Sequence, residues 1–227
     1  MIVYIDYKGG VTGDPYWGDV ILHLNAETSL LHDSSPLNTT MVASGSPTRE
    51  SSIVKYGSYS INATGGKVTT TNGIYYGLMG ANEFTLQTWV YCIALPIGNN
   101  NRFSSFDGFI LGINSNGSMT NNTVIDGASY ATGSAAGTII VETWHHVALT
   151  RTNNGSNSKL ELFIDGNLEG TSTYFLDTGI QYGSGFGFII GYDSSTSVIC
   201  DDFQLTKNVN RYRGLNSFTP PPELPTA

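Results

Sequence analysis

The side chains of this chain best suited to chemistry are histidines and carboxylates, and they gather in two places. Trp144-His145-His146-Val147-Ala148-Leu149-Thr150-Arg151 sets two histidines side by side, and Leu160-Glu161-Leu162-Phe163-Ile164-Asp165-Gly166-Asn167 follows with two acids. The second place is Asp201-Asp202, inside Ser197-Val198-Ile199-Cys200-Asp201-Asp202-Phe203-Gln204-Leu205. Neighbouring histidines chelate a metal only if both rings reach one point. All three stretches alternate apolar and polar residues as strands do, so His145 and His146 point to opposite faces and cannot share an ion. Val147 and Leu149 lie on one face; His146, Ala148 and Thr150 lie on the other. One histidine should then pack in the core with a hydrogen bond, and the other should be half exposed. Asp165-Gly166 tolerates positive φ and suits a hairpin turn, which claims Asp165 for the backbone. A glycosidase needs two carboxyl groups a few ångströms apart, one as acid and one as nucleophile or base. None of the seven Glu falls in such a pattern. No Ser-His-Asp context, phosphate loop or Cys/His metal spacing is present. Asp201 shares an alternation with Phe203 and Leu205 and should point inward, where a carboxylate must be paired, hydrogen-bonded or metal-bound.

Ligand-binding chemistry falls instead on loops. Asn99, Asn100, Asn101 and Asn116 supply amides, and Trp17 and Tyr130, with Tyr75 and Tyr76, supply rings. Amides match sugar hydroxyls and aromatic rings match sugar C–H faces. The plainer reading is that Asn and Gly in these loops are turn formers.

The elements that must position these groups are strands. The chain has 227 residues, 27 of them Gly and 13 Tyr, and only 12% charged. That profile fits many short strands joined by turns and fits helices poorly. About twelve strands with turn signals every eight to twelve residues argue an all-β sandwich of two antiparallel sheets. Phe84, Leu86 and Val90 read as one face of a long strand; Thr85, Gln87, Trp89 and Tyr91 read as the other. Residues 1–13 read as an added edge strand or an arm, 14–222 as one domain, and 223–227 as a tail. His23, inside Val20-Ile21-Leu22-His23-Leu24, reads as a hydrogen-bonded core histidine. Cys92 and Cys200 read as two buried free thiols, with a disulfide between neighbouring strands as the alternative. The net charge is −8 and the ten basic residues are scattered, which excludes a phosphate-tracking stripe and hence a nucleic-acid partner. There is no apolar run long enough to insert in a membrane. Met1-Ile2-Val3-Tyr4-Ile5-Asp6 lacks the basic start of a secretion signal, so the expected place of synthesis is a cytoplasm.

Several stretches line up in order with a known family: Asp14-Pro15-Tyr16-Trp17, Val20-Ile21-Leu22-His23-Leu24, His32-Asp33-Ser34-Ser35 and Tyr56-Gly57-Ser58-Tyr59-Ser60-Ile61. Phe84-Thr85-Leu86-Gln87-Thr88-Trp89-Val90, the Trp144 stretch, Leu162-Phe163-Ile164-Asp165-Gly166, Ile189-Ile190-Gly191 and Asp201-Asp202-Phe203-Gln204-Leu205-Thr206-Lys207 continue it, and Phe218-Thr219-Pro220-Pro221 closes it. The set resembles the laminin-G-like, concanavalin A-like jelly rolls, in the variant found in bacteriophage tail fibres and virion surface proteins. The resemblance implies a non-enzymatic structural or adhesion module of a virion, made in the host cytoplasm. Its partners would be other virion proteins, copies of itself and a host surface glycan. A calcium-dependent lectin without a virion role is the alternative, and a glycan hydrolase comes third. The resemblance also implies a structural Ca²⁺ at Asp33 and Asp201, because the family's matching aspartates often meet at calcium, which takes about six to eight oxygens. The family loop usually continues Gly-Asn-Gly, whereas Pro36-Leu37-Asn38 follows here. Without the ion, Asp201 would be held by backbone amides or a hydroxyl and Asp33 would cap its own loop.

Overall fold

The computed structural model describes residues 14–70, 82–97, 101–106, 109–125, 128–153, 155, 157–175, 189–191 and 197–221. Within them the chain forms β1 (Val20–Leu24), β2 (Met41–Gly45), β3 (Thr48–Glu50), β4 (Ser60–Asn62), β5 (Gly66–Thr70), β6 (Phe84–Ala94), β7 (Asn101–Phe106) and β8 (Phe109–Ile113). It continues with β9 (Met119–Ile125), β10 (Ala128–Gly133), β11 (Trp144–Asn153), β12 (Asn157–Ile164), β13 (Asn167–Phe175), β14 (Ile189–Ile190) and β15 (Ser197–Lys207). A 3₁₀ turn, Trp17–Asp19, leads into β1. The expected arm at 1–13, most of the glycine-framed stretch at 185–191 and the tail at 223–227 lie outside the described residues.

The strands make two antiparallel sheets. The first runs β13-β12-β11-β6-β15-β4-β3, with β1 pairing the far half of β15; the second runs β10-β9-β8-β7-β14-β5-β2. Their inner faces meet in one core. Leu22, Leu24, Phe84, Leu86, Val90, Val147, Leu149, Leu160, Leu162, Phe203 and Leu205 come from the first sheet, and Val68, Phe103, Phe109, Leu111, Ile113 and Met119 from the second. Alternation along each strand delivers these residues inward, as the sequence of β6 and β11 foretells. At one edge the sheets approach so closely that a Cβ on Gly170 of β13 would lie 2.5 Å from the carbonyl oxygen of Gly133 in β10. Only a residue without a side chain fits there.

The first sheet is buried on both sides along most of its length, an arrangement antiparallel sheets seldom adopt. Eight consecutive residues of β11 and nine of β15 are buried. Its outward face is covered by the entry segment at 14–17, the turn-rich 51–59 segment and the exit segment at 209–218. Phe163, Ala148, Tyr212 and Phe218 form a second small core there. The rings of Tyr212 and Phe218 stack with centroids 3.7 Å apart. Arg211 closes a bidentate pair on Asp14, at 2.9 and 2.5 Å, with both groups buried. The Tyr212 hydroxyl donates to Gln87, whose amide donates to Gln204 at 2.8 Å. Gln87 and Gln204 on this face are therefore buried and hydrogen-bonded rather than solvated.

Candidate functional site

The hairpin that gathers His145, His146, Glu161 and Asp165 is built by β11 and β12, paired from Val147 opposite Ile164 to Asn153 opposite Ser158. Asp165 takes positive φ (+49°) in the turn. Its carboxylate accepts from the His146 backbone N–H at 2.8 Å and from His145 Nδ1 at 2.6 Å. The other ring nitrogen of His145, Nε2, accepts from the Ile140 N–H at 3.0 Å. Nδ1 must then carry the proton, and the nitrogen that would serve as a base is already occupied. Burial pulls the Asp165 carboxyl up, but the hydrogen bonds from His145 and from the His146 backbone hold it below the usual range.

His146 corrects the expectation of a half-exposed ring. It is fully buried on the outward face, edge-on to Trp89 at 5.2 Å and to Phe218 at 5.8 Å. The exit segment that covers it lies far along the chain, so the local pattern could not show it. Among the described residues nothing hydrogen-bonds either of its ring nitrogens or the Trp89 indole N–H. Burial drives the His146 ring down to about 3, with Lys55 pushing the same way and Asp165 opposing. His23 is a buried histidine bonded through Nε2 to Asp202 at 2.8 Å, as its apolar setting foretells. Cys92 and Cys200 are free and buried. Burial raises both thiols, so neither is a nucleophile near neutral pH.

Asp201 needs a second correction. It does not share a face with Phe203 and Leu205. β15 carries a bulge between Asp201 and Gln204, and Asp202 sits at φ +52°. The inserted residue reverses the alternation, so Val198, Cys200, Phe203 and Leu205 face the core while Asp201 faces outward opposite Trp89. The bulge lies where the partner of β15 changes from β4 to β1. Asp201 is nonetheless buried, under the 51–59 segment. Its Oδ2 accepts from the backbone N–H groups of Lys55 and Tyr56 at 2.9 and 3.1 Å. Lys55 lays its ammonium 4.0 Å from the Trp89 ring centroid. Burial pushes the Asp201 carboxyl up to about 7 against those N–H bonds, and the neighbouring Asp202 pushes the same way.

Asp33 serves a different loop. Oδ1 accepts from the His23 and Ser35 N–H groups, each at 2.9 Å. Oδ2 accepts from the Thr39 N–H at 2.7 Å and the Ser35 hydroxyl at 2.9 Å. The Ser34 N–H donates to the His23 carbonyl, so this loop pairs with β1 and covers its outer edge. A hard cation needs the same lone pairs that these donors occupy, so the donor set does not fit calcium shared between Asp33 and Asp201. Among the described residues no three His, Cys, Asp or Glu side chains converge as metal ligands would.

The amide and aromatic candidates do not form one constellation. Asn99 and Asn100, like Tyr75 and Tyr76, lie outside the described residues. Asn101 opens β7 opposite Ile113, and Tyr130 is paired with Thr123 in the β9–β10 ladder. Asn116 is exposed in the β8–β9 turn, with its Oδ1 accepting from the Ser118 N–H and hydroxyl at 3.0 and 2.8 Å. Its backbone carbonyl accepts from Gly137, tying this turn to the segment that enters β11. Trp17 is at the opposite end of β6, near the Asp14–Arg211 pair, with its ring edge-on to His23 at 5.6 Å. Reading the sequence strand by strand missed a further aromatic pair. Tyr91 and Trp144 are cross-strand partners on β6 and β11, their centroids 5.4 Å apart, and both are half-buried. Register brings them together, and the β6–β11 partnership is not readable from either strand alone.

The profile of the Laminin_G_3 family, the concanavalin A-like lectin/glucanases superfamily, matches residues 62–204, and the chain belongs to it. No curated protein sequence matches the chain. Among solved structures it is similar to the receptor-binding domain of botulinum neurotoxin type G, with 17% identity, a TM-score of 0.61, and coverage of 85% of this chain and 49% of that one. The binding domain of Paraclostridial mosquitocidal protein 1 gives 14% identity, a TM-score of 0.65, and 86% and 50% coverage. The binding domain of botulinum neurotoxin DC in complex with SialylT gives 20% identity, a TM-score of 0.60, and again 86% and 50%. At such identities the likeness is one of fold. This chain spans about half the length of these binding domains.

Proposed function

We propose that this member of the concanavalin A-like lectin/glucanases superfamily is a non-enzymatic adhesion module whose ligand is a glycan. One observation carries the reading: among the described residues, the buried acids are spent on structure. Asp14 pairs with Arg211, Asp33 and Asp201 hold backbone N–H groups, Asp165 fixes His145, and Asp202 meets His23. Glu27 accepts from Ser58 and Tyr59 N–H, and Glu161 from Lys159. A hydrolase needs two carboxyl groups free to move protons between solvent-facing partners. The acids named above are engaged, and sugar recognition asks only for amides, hydroxyls and rings at the surface. The fold shared with the neurotoxin binding domains supports a binding role.

The end of the sandwich bearing the Asn116 turn and the start of β7 is the proposed glycan contact. Glycan-array binding that falls with Asn116→Ala supports it, and no binding to any glycan overturns it. Release of oligosaccharide from host envelope or capsule would replace it with the hydrolase reading.

The finer proposal is a phage virion surface module, set on a fibre, a tail appendage or a capsid. Its support is the pair of motifs at the front and back of the domain. Asp-Pro-Tyr-Trp and Phe-Thr-Pro-Pro act on the same sheet face, Asp14 on Arg211 and Phe218 on His146. Particle assembly that is unchanged after deletion of residues 1–13 would count against an N-terminal anchoring role. The calcium-dependent lectin remains the alternative, and array binding that EDTA abolishes would favour it.

A further inference from the structure

The segment between β10 and β11 bridges the two sheets, and one histidine holds it. On the side of the second sheet, the Ser134 N–H donates to the Met119 carbonyl at 2.9 Å. The Gly137 and Ile139 N–H groups donate to the carbonyls of Asn116 and Gly117, each at 2.8 Å. On the side of the first sheet, the Glu142 N–H donates to the Cys92 carbonyl at 2.9 Å. Between these anchors the Ile140 N–H donates to His145 Nε2 at 3.0 Å. Two neighbouring amides thus fasten the Asn116–Gly117 turn to the His145 ring. A Cβ on Gly117 would lie 2.9 Å from the Ile139 carbonyl oxygen, so the turn seats on this segment backbone against backbone. The segment therefore sets where the Asn116 turn sits.

His145 can hold the segment only as a neutral ring. Nδ1 is 2.6 Å from the Asp165 carboxylate and must donate, which leaves Nε2 as the acceptor for Ile140. A second proton would go to Nε2. It would set two N–H donors against each other, while the contact with Asp165 would gain charge assistance. Acid therefore leaves the ring in place and releases Ile140, whose exposed position gives the freed N–H access to water. Histidine is the side chain that changes charge between about pH 5 and 8. The other titratable groups on the elements around it, among the described residues, are Asp165, Glu142, Cys92 and Cys200, with His146 and Asp201 across the sheet. Asp165 is held below the usual range, burial raises both thiols, and His146 is driven down to about 3. Asp201, pushed up to about 7, bonds the 51–59 segment and not this one. We propose that His145 is a positioning residue for the Asn116 turn and makes the glycan contact acid-labile: its neutral ring latches segment 134–143, and its protonation frees the segment and weakens binding. The link to glycan rests on the adhesion reading; the latch itself does not.

The test is amide exchange of the full chain by NMR at about pH 7.5 and about pH 5, each rate divided by its intrinsic value at that pH. Protection of the Ile140 amide is expected to fall about tenfold at the lower pH, the loss of one hydrogen bond, while amides of the β6–β11 ladder keep theirs. At the higher pH the His145 ring should show the tautomer protonated at Nδ1. A ring protonated at Nε2 instead, or Ile140 protection that does not change, overturns the inference. In His145→Phe the Ile140 amide should be poorly protected at both pH values. Glu142→Gln should keep the wild-type response, and its loss there overturns the assignment to His145. Where His145→Phe does not fold, the tautomer and the wild-type protection still decide. On the glycan array the wild-type affinity should fall about tenfold between the two pH values. Binding unmoved while protection falls overturns the link to the turn. No array signal at either pH, with the protection change present, strikes the glycan reading alone. Array binding at both, with protection unchanged, strikes this one alone.

Discussion

Along β6 the outward face of the first sheet is polar at its buried Phe84 end and apolar at its open Ala94 end. At the Phe84 end of β6 the strands present Thr85, Gln87, Gln204 and Thr206, all buried. Thr85 accepts from the Arg211 backbone N–H and donates to the Val209 carbonyl, while Arg211 reaches Thr206 and Asp14. At the Ala94 end the same strands present Tyr91, Ile93 and Trp144 to solvent. A face read by hydropathy alone would be assigned the other way round. Coverage follows whether a distant segment can satisfy the groups beneath it, and the exit segment brings the donors and rings that do so. Among the described residues no such segment reaches the open end.

The largest test of this contrast removes the clamp on the polar end. Asp14→Ala should cost about 3–5 kcal/mol, because Arg211 is left buried without its counter-charge; urea titration reads the loss. Asp14→Leu with Arg211→Met should recover most of it, and a double variant as weak as the single would show that the pair itself stabilises the cover. Phe218→Ala removes the ring stacked on Tyr212 and packed on His146, and should cost about 3 kcal/mol by the same titration. Tyr212→Phe keeps the stack and loses only the donor to Gln87, for about 1–2 kcal/mol.

At neutral pH His146→Leu should change stability less, and its effect belongs to acid. The folded ring is held near 3 and the free ring near 6.5, so between those values the unfolded chain binds a proton that the folded chain refuses. The His146 contribution is therefore complete above about pH 6.5 and is lost as pH falls toward 3. Thermal melts of His146→Leu should decline less than wild type over that window, and parallel curves would remove His146 from the acid response. The smallest expected effect is none. EDTA or added Ca²⁺ should leave the melting temperature where it is, because N–H and hydroxyl donors occupy both Asp33 oxygens and N–H donors occupy Asp201 Oδ2. A rise with Ca²⁺ would restore the metal.

The sandwich was legible in the sequence because alternation is a local property. Phe84, Leu86 and Val90 against Thr85, Gln87, Trp89 and Tyr91 needed only the pleat. Asp201 was misplaced because a bulge is an inserted residue that resets the pleat, and only the positive φ of Asp202 reveals it. The burial of His146 was hidden because its cover comes from Phe218. Arg151 was hidden differently: it shares the inward face with Val147 and Leu149, and its guanidinium lies 5.9 Å from the Phe84 ring inside the sandwich. A charged residue at a strand end gives no local sign that it will turn into the core. The candidate site was legible only as turn chemistry. Asn116 occupies the Asx turn its type favours, whereas Tyr91 and Trp144 become neighbours only once β6 and β11 are in register.

The Asp14–Arg211 joint has a mechanical consequence. It fastens the place where the chain enters the sandwich to the place where it leaves, and neither sheet lies between them. Tension applied through the two ends would load this ion pair and the Tyr212–Phe218 stack before any strand ladder. A tether pulled at one end alone would bypass the joint and load the ladders directly. The direction in which the module is anchored would therefore set whether it yields by shedding its cover or holds until a sheet gives way.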